Sequence, residues 1–356
     1  MTAAPSPHPR IRILLAGLGS IGQRHARLLA ERPDVELILC DPIASHRGAV
    51  QAMLSRPALM FEAYDAALAT RPDLVFLCTP NQLHVPMGLV AIAAGADVFV
   101  EKPIAETVRE AEELVGAAAA AGRLLHVGYM LRFDPGLLAL KRCVGEGAIG
   151  TLCGGRAMVG SYVTLLNSRQ RDKETRPGSL VVDYTHEIDY LRWFFGEVAD
   201  VQAAGATLGA LERLAQPNIF QAQLRMVSGA LVQLHLDYLQ YPQRRSFELF
   251  GDRGTLSYDF MTGEIRRFAF EREHRWTPLD VPPLMQRVDN LFRAEHDAVL
   301  RCRAEGAAPL VGGADGLAAL RVAEMAMAGA RALNISQPSG AGTKRDGRTE
   351  GSSHDV

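Results

Sequence analysis

Two side chains far apart in the chain have types suited to moving a proton off a hydroxyl group. Lys102 follows the apolar run 98–100 and precedes Pro103. An ammonium at the end of a buried strand stabilises a developing alkoxide, and burial or nearby positive charge lowers its pKa. Taken alone, the same residue reads as an ordinary surface lysine in a turn. His186 stands among the apolar residues Leu180, Val181, Ile188, Leu191 and Trp193. A histidine pKa suits a base working near pH 7, while a lone histidine at a helix start is more often a structural hydrogen-bonding residue. Asp183 and Asp189 flank it, and Asp189 either orients the imidazole or caps the helix.

A second group of residues has the spacing of a phosphate grip. Gly17-Leu18-Gly19-Ser20-Ile21-Gly22 follows the apolar run 11–16 and leads into a helical pattern. Gly17 permits a tight turn, Gly19 lets the backbone approach a pyrophosphate, and Gly22 allows close packing. The helix start, with Ser20 and Ile21, offers free N–H groups to the phosphates. Asp41 comes about 20 residues later, at the end of the next strand, where an acidic residue binds the adenosine ribose and repels a ribose phosphate. This favours NAD over NADP, with Arg47 near enough to blur the preference and admit NADP. Asp41-Pro42 also reads as a plain turn start. The loop Thr79-Pro80-Asn81-Gln82-Leu83-His84 follows another strand pattern and faces the same crevice, although Thr79 or Asn81 also suits a helix cap and His84 a structural role.

These residues need a scaffold. Runs 11–16, 35–40, 74–78, 97–100 and 124–127 read as strands, separated by helical patterns at 21–31, 63–70, 86–94 and 107–121. Alternation of this kind predicts a parallel, doubly wound sheet with right-handed crossovers. After Gly128 the pattern changes. Helices are predicted at 134–144 and 183–195, an extended stretch at 150–162, and mostly strands from 198 to about 270, with late helices at 286–303 and 315–332. Consecutive strands without helices argue for an antiparallel or mixed sheet. The prediction is α/β: an N-terminal doubly wound Rossmann domain over 10–128, a C-terminal α+β domain over 129–335 on a largely antiparallel or mixed sheet, and a flexible tail over 336–356.

Composition bounds the function. The chain has 356 residues, and Lys plus Arg (38) nearly balances Asp plus Glu (40), which argues against a strongly basic nucleic-acid binder. No apolar run is long enough to span a membrane, and the N-terminus lacks a signal-peptide pattern, so a cytoplasmic location is expected. Five scattered cysteines, odd in number and without a Cys-x-x-Cys pair, predict neither disulfides nor a metal site; small buried hydrophobes are the better reading.

In this order and spacing, Gly17-x-Gly19-x-x-Gly22, Thr79-Pro80-Asn81-x-x-His84 and Glu101-Lys102-Pro103 resemble the Gfo/Idh/MocA family of oxidoreductases, which includes glucose–fructose oxidoreductase and inositol dehydrogenase. The similarity continues through Gly128-Tyr129-Met130-Leu131-Arg132-Phe133, through 183–193, through Gly251-Asp252-Arg253-Gly254-Thr255-Leu256 and through Asp315-Gly316-Leu317. The resemblance implies an NAD(P)-dependent oxidoreductase acting on a CH–OH group of a sugar, sugar derivative or cyclitol. It implies Lys102 beside the nicotinamide, with a cis Lys102–Pro103 bond, His186 as acid/base, and Asp183 as the aspartate that precedes it. Asp183 stands three residues before His186 where many relatives have four; on one helix the two would occupy neighbouring faces, and the spacing could shift Asp183 from substrate binding to capping.

The cofactor contacts expected are Gly17, Gly19, Ser20, Ile21, Gly22, Asp41, Thr79, Pro80, Asn81, His84 and Glu101. Substrate contacts are expected at Arg132, Tyr162, Arg169 and Asp189. Segment 164–179 is either a substrate lid or a solvated loop. The polar face of strand 231–240 suits a substrate wall, a wet subunit interface or solvent. Two rivals remain. Arg169, Arg171 and Arg176 could hold an acidic or nucleotide sugar, and the fold could serve a non-catalytic dinucleotide sensor, which needs neither Lys102 nor His186. By family analogy the chain forms a homodimer or homotetramer through the open face of its second sheet.

Overall fold

The computed structural model describes residues 10–167, 178–209, 217–270, 277–280 and 282–332. In the first half, strands β1 (Ile11–Ala16), β2 (Val35–Cys40), β3 (Leu59–Phe61), β4 (Leu74–Leu77), β5 (Asp97–Glu101) and β6 (Leu125–Gly128) alternate with helices α1 (Ser20–Ala30), α2 (Ala44–Met53), α3 (Tyr64–Leu68), α4 (His84–Ala93) and α5 (Val108–Ala121). The strands pair in the order β3-β2-β1-β4-β5-β6, all parallel. Ile13, Leu14 and Leu15 are all fully buried, so β1 reads as an unbroken apolar run because helices cover both faces of its sheet. Chain order reverses between β1 and β4, and the crevice beyond their carboxyl ends is where such a sheet binds ligands.

Helix α2 and edge strand β3 were not read from the sequence. Only Val50 of α2 is buried, so the segment has no apolar periodicity to announce it. Helix α5 carries its own start and stop. Thr107 and Glu110 form a reciprocal capping box, and Gly122 closes the end in a left-handed conformation.

The second half contains α6 (Pro135–Gly145), β7 (Leu152–Gly160), α7 (Tyr162–Asn167), α8 (Ser179–Asp183), α9 (Thr185–Phe195), β8 (Val198–Ala206), β9 (Ile219–Met226), β10 (Leu231–Asp237), β11 (Arg244–Gly251), β12 (Gly254–Asp259), β13 (Glu264–Ala269), β14 (Thr277–Asp280), α10 (Leu284–Glu305) and α11 (Gly313–Ala332). The eight strands pair in the order β14-β13-β12-β11-β7-β10-β9-β8. The β7–β10 pair is parallel and the others are antiparallel, so the sheet is mixed. Residues alternate between buried and accessible along β9 and β10, because helices α8, α9 and α11 cover one face.

Two features depart from the sequence prediction. The single helix expected over 183–195 is two helices, with Tyr184 (φ −105°, ψ 31°) as the joint between α8 and α9. Helix α10, which follows the second sheet in the chain, returns to the first domain. Its Asp289 takes Arg27 at 2.6 Å, its Arg293 takes Glu31 at 3.0 Å, and its Arg303 takes Asp73 at 3.1 Å. Val299 and Leu300 join the core built on Ile13, Leu15 and Phe76. All five cysteines are free thiols; Cys40 and Cys302 are buried, whereas Cys153 is exposed.

Candidate active site

The glycine turn sits at the mouth of the crevice. Gly17 has φ +89°, and a Cβ there would meet the Cys78 carbonyl oxygen at 2.5 Å. A Cβ on Gly22 would collide with the carbonyl of Gly17, whereas one on Gly19 would meet nothing within 4 Å. The turn is therefore closed at its two ends and open in the middle, where a pyrophosphate must approach. Gly19 caps α1 without a side-chain hydrogen bond, which leaves the N–H groups of the first turn, at Ser20 and Ile21, to be satisfied by an anion. Thr79 supplies a buried hydroxyl with no partner among the described residues. Bare space at Gly19, an uncapped helix start and an orphaned hydroxyl fit a dinucleotide.

Asp41 follows β2 beside this turn. Its carboxylate accepts from Leu18 N–H at 2.6 Å and from Ile43 N–H at 2.7 Å, with His46 Nδ1 at 3.2 Å. Asp41 thus shapes its own loop, and its Oδ1, which accepts from Ile43 alone among these, keeps lone-pair capacity for another donor. Arg47 is held by the Asp41 carbonyl at 2.6 Å and by Glu62 at 3.6 Å.

Pro80 and Asn81 lead into the short 3-10 turn Asn81–Leu83. His84, expected among the cofactor contacts, is 1% exposed. Its Nδ1 faces the Pro103 carbonyl oxygen and its Nε2 the Thr79 carbonyl oxygen, each at 2.9 Å. Burial pushes its pKa down, opposed by those two carbonyls. The ring is a strut between the Thr79 loop and the Lys102–Pro103 peptide, and has no nitrogen left for a ligand. The Glu101 carboxylate takes His25 Nε2 at 2.8 Å and the Lys102 N–H at 3.2 Å.

Lys102 follows β5, and its bond to Pro103 is cis, as the resemblance implied. Its ammonium donates to the main-chain oxygen of Asp183 at 2.9 Å. That carbonyl lies at the end of α8, where the last turn of a helix leaves carbonyls unpaired. The Asp183 carboxylate accepts a short hydrogen bond from the Tyr238 hydroxyl, a partner that the alternation of strand 231–240 alone did not single out.

His186 is the second residue of α9 and is 8% exposed. The Tyr129 ring meets it edge-on at 5.5 Å, and its Nδ1 has no partner among the described residues. Burial, then the positive charges of Lys102 and Arg245, hold its pKa well below 6.5. The imidazole is neutral and able to accept a proton. Arg245 is itself fixed by an ion pair to Glu187 at 2.8 Å.

Of the expected substrate contacts, Arg132, Tyr162 and Asp189 lie among the described residues. Arg132 grips Asp189 with two hydrogen bonds of 2.8 Å and reaches Asp315 at 3.1 Å. Both members of the pair are buried, and they join the turn after β6 to α9 and α11. Asp189 accordingly neither orients His186 nor caps its helix. Tyr162 opens α7, half-buried, with its N–H on the Gln240 carbonyl at 2.9 Å. Arg169, Arg171 and Arg176 lie outside the described residues.

A parallel Rossmann sheet with a glycine turn at its crevice, followed by a mixed second sheet, is the architecture of a dinucleotide-dependent oxidoreductase, and comparison with known proteins agrees. Residues 11–129 match the profile of the oxidoreductase family with an NAD-binding Rossmann fold, and residues 141–332 match that family's C-terminal α/β domain. The chain belongs to the Gfo/Idh/MocA oxidoreductase family. It is 28% identical over 282 residues to inositol 2-dehydrogenase of Rubrobacter xylanophilus, covering 75% of this chain and 76% of that one. It is 30% identical over 253 residues to inositol 2-dehydrogenase of Burkholderia vietnamiensis, covering 68% and 72%. The fold matches an Agrobacterium radiobacter oxidoreductase solved with NAD+, L-tartaric acid and magnesium, with a TM-score of 0.82 at 19% identity, covering 90% and 96%.

Proposed function

We propose that this oxidoreductase is an NAD-dependent dehydrogenase for a hydroxyl group of a sugar, sugar derivative or cyclitol, with Lys102 and His186 as its acid/base pair. The observation that carries this reading is the hydrogen bond that ties Lys102 to the chain just ahead of His186. Lys102 Nζ stands 2.9 Å from Asp183 O, three residues before His186, and its charge acts on that imidazole.

When bound, NAD+ supplies the hydride acceptor. His186, kept neutral, takes the hydroxyl proton, and the electron pair of the broken O–H bond stays on oxygen. Lys102 stabilises that charge. A histidine with a depressed pKa is a weak base; burial is the main cause and persists, but the smaller contribution of Lys102 is one that the reaction removes. As the Lys102 charge becomes shared with an alkoxide, it no longer opposes protonation of the imidazole. As an oxygen lone pair closes to C=O, the C–H bond on the same carbon breaks and its electron pair leaves as hydride, so the substrate loses one proton and one hydride and becomes the ketone.

The dehydrogenase reading is favoured over a dinucleotide sensor because a sensor needs neither side chain. We also propose that a second copy of the chain pairs on the open face of the eight-stranded sheet, a cavity of about 780 Å³ lined by Gln223, Gln233, His235 and Ser246. Incubation with NAD or NADP and a panel of polyols, neutral sugars and sugar acids, followed by reduced-nicotinamide absorbance, tests the activity. Reduction with a polyol or neutral sugar, faster with NAD, is expected; no reduction across the panel supports the sensor, and activity on anionic sugars alone supports the acidic-substrate reading.

A further inference from the structure

We infer that His25 is a positioning residue for Lys102, acting through Glu101. This rests on the reading of Lys102 as an acid/base group. His25 lies on α1, the helix whose start faces the phosphate grip, and is 0% exposed. The rings of Phe76, Phe99 and Phe292 surround it at 5.5, 5.4 and 5.0 Å. A polar ring in such a place costs stability unless both nitrogens are paired, and both are: Nε2 meets Glu101 Oε1 at 2.8 Å, and Nδ1 meets His296 Nε2 at 2.7 Å.

One of these bonds has a single possible direction: a carboxylate only accepts, so His25 Nε2 carries the hydrogen toward Glu101, while Nδ1 pairs with His296 Nε2. The other Glu101 oxygen takes the Lys102 N–H at 3.2 Å. The Glu101 carboxylate also rests against the bare Cα of Gly128, where a Cβ would come within 3.0 Å of it. Glu101 is therefore pinned from three sides, and the residue that follows it is Lys102. Helix α1 thus serves two purposes: its first turn faces the cofactor phosphates, and its second fixes the backbone from which the lysine projects.

Leucine at position 25 suits the aromatic surroundings and removes both hydrogen bonds, while glutamine restores a donor toward Glu101. The experiment measures kcat, KM for substrate, NADH affinity by fluorescence and Tm on the full chain, for His25→Leu, His25→Gln and Lys102→Met. His25→Leu is expected to fold, bind NADH within about twofold of the parent, and lose about tenfold to a hundredfold in kcat, the scale of a small misplacement of a reacting group. His25→Gln recovers most of that loss. If His25→Leu lowers Tm but leaves kcat per folded molecule unchanged while Lys102→Met is inactive, His25 is only a packing residue and the inference is wrong. If Lys102→Met turns over normally, the acid/base reading itself has failed. Should His25→Leu not fold, Glu101→Gln keeps the His25 packing and tests the same link: unchanged kcat there overturns the inference.

Discussion

The Lys102 ammonium rests 2.9 Å from the main-chain oxygen of Asp183, so the loop after β5 in the first domain is latched to the end of α8 in the second. The latch exists because α8 stops at Asp183. Had the helix run on without a joint, that carbonyl would have served the next turn. Removing the ammonium with Lys102→Met should lower kcat about 100-fold to 10,000-fold, the usual worth of acid–base assistance, and leave NADH binding intact. Steady-state rates beside a binding titration check this, and an unchanged kcat would falsify the assignment.

The histidine makes a pH prediction. Its pKa is held well below 6.5 by burial, by Lys102 and by Arg245. A base must be neutral, so activity is present above that folded-state pKa and disappears as pH falls through it. The acid limb of kcat/KM should lie below pH 6.5. The same depression has a stability consequence. An unfolded histidine takes up a proton near pH 6.5 and the folded one does not, so acidification below that value favours unfolding. His186→Gln should lose turnover and unfold less readily on acidification. A limb centred above 6.5 would contradict the buried, neutral imidazole.

Asp41 offers a test of cofactor choice. Asp41→Asn keeps an oxygen for the Leu18 or Ile43 N–H groups now on the carboxylate and removes the negative charge. The ratio of kcat/KM for NADP over NAD should rise at least about tenfold, equivalent to about 1.4 kcal/mol. A ratio that stays put would mean that Asp41 shapes its loop and nothing more.

Arg132 and Asp189 separate structure from recognition. Breaking a buried ion pair by removing one partner costs about 3–5 kcal/mol, so Arg132→Met should be strongly destabilised in urea unfolding. Replacing both, as Arg132→Met with Asp189→Leu, should recover much of the loss. A stable single variant with a raised substrate KM would instead return Arg132 to the substrate pocket.

Much of this was legible beforehand, for local reasons. Strand β2 was predicted with its observed bounds, because an apolar run bounded by turn residues needs no distant partner to be read. Gly17, Gly19 and Gly22 were each read from the backbone conformation or approach that their place in the turn demands. Helix α2 was invisible because its single buried residue, Val50, leaves no period. Arg132, Asp189, Glu101 and His84 were singled out as functional residues, but their polar atoms turned out to be spent on one another, on His25 or on carbonyls.

Those outcomes share one cause. Periodicity, turn chemistry and glycine placement act over a few residues, so the amino-acid order alone determined the parallel sheet, the phosphate turn, and the presence of a lysine and a histidine of the right types. Which partner a buried charge meets depends on elements remote in the chain. Only the packing of α1, α8, α9 and α10 around the crevice decided that Lys102 meets the Asp183 carbonyl, that Arg132 closes on Asp189, and that Glu101 turns to His25. A buried polar group must find a partner, and the sequence states the need without naming who meets it.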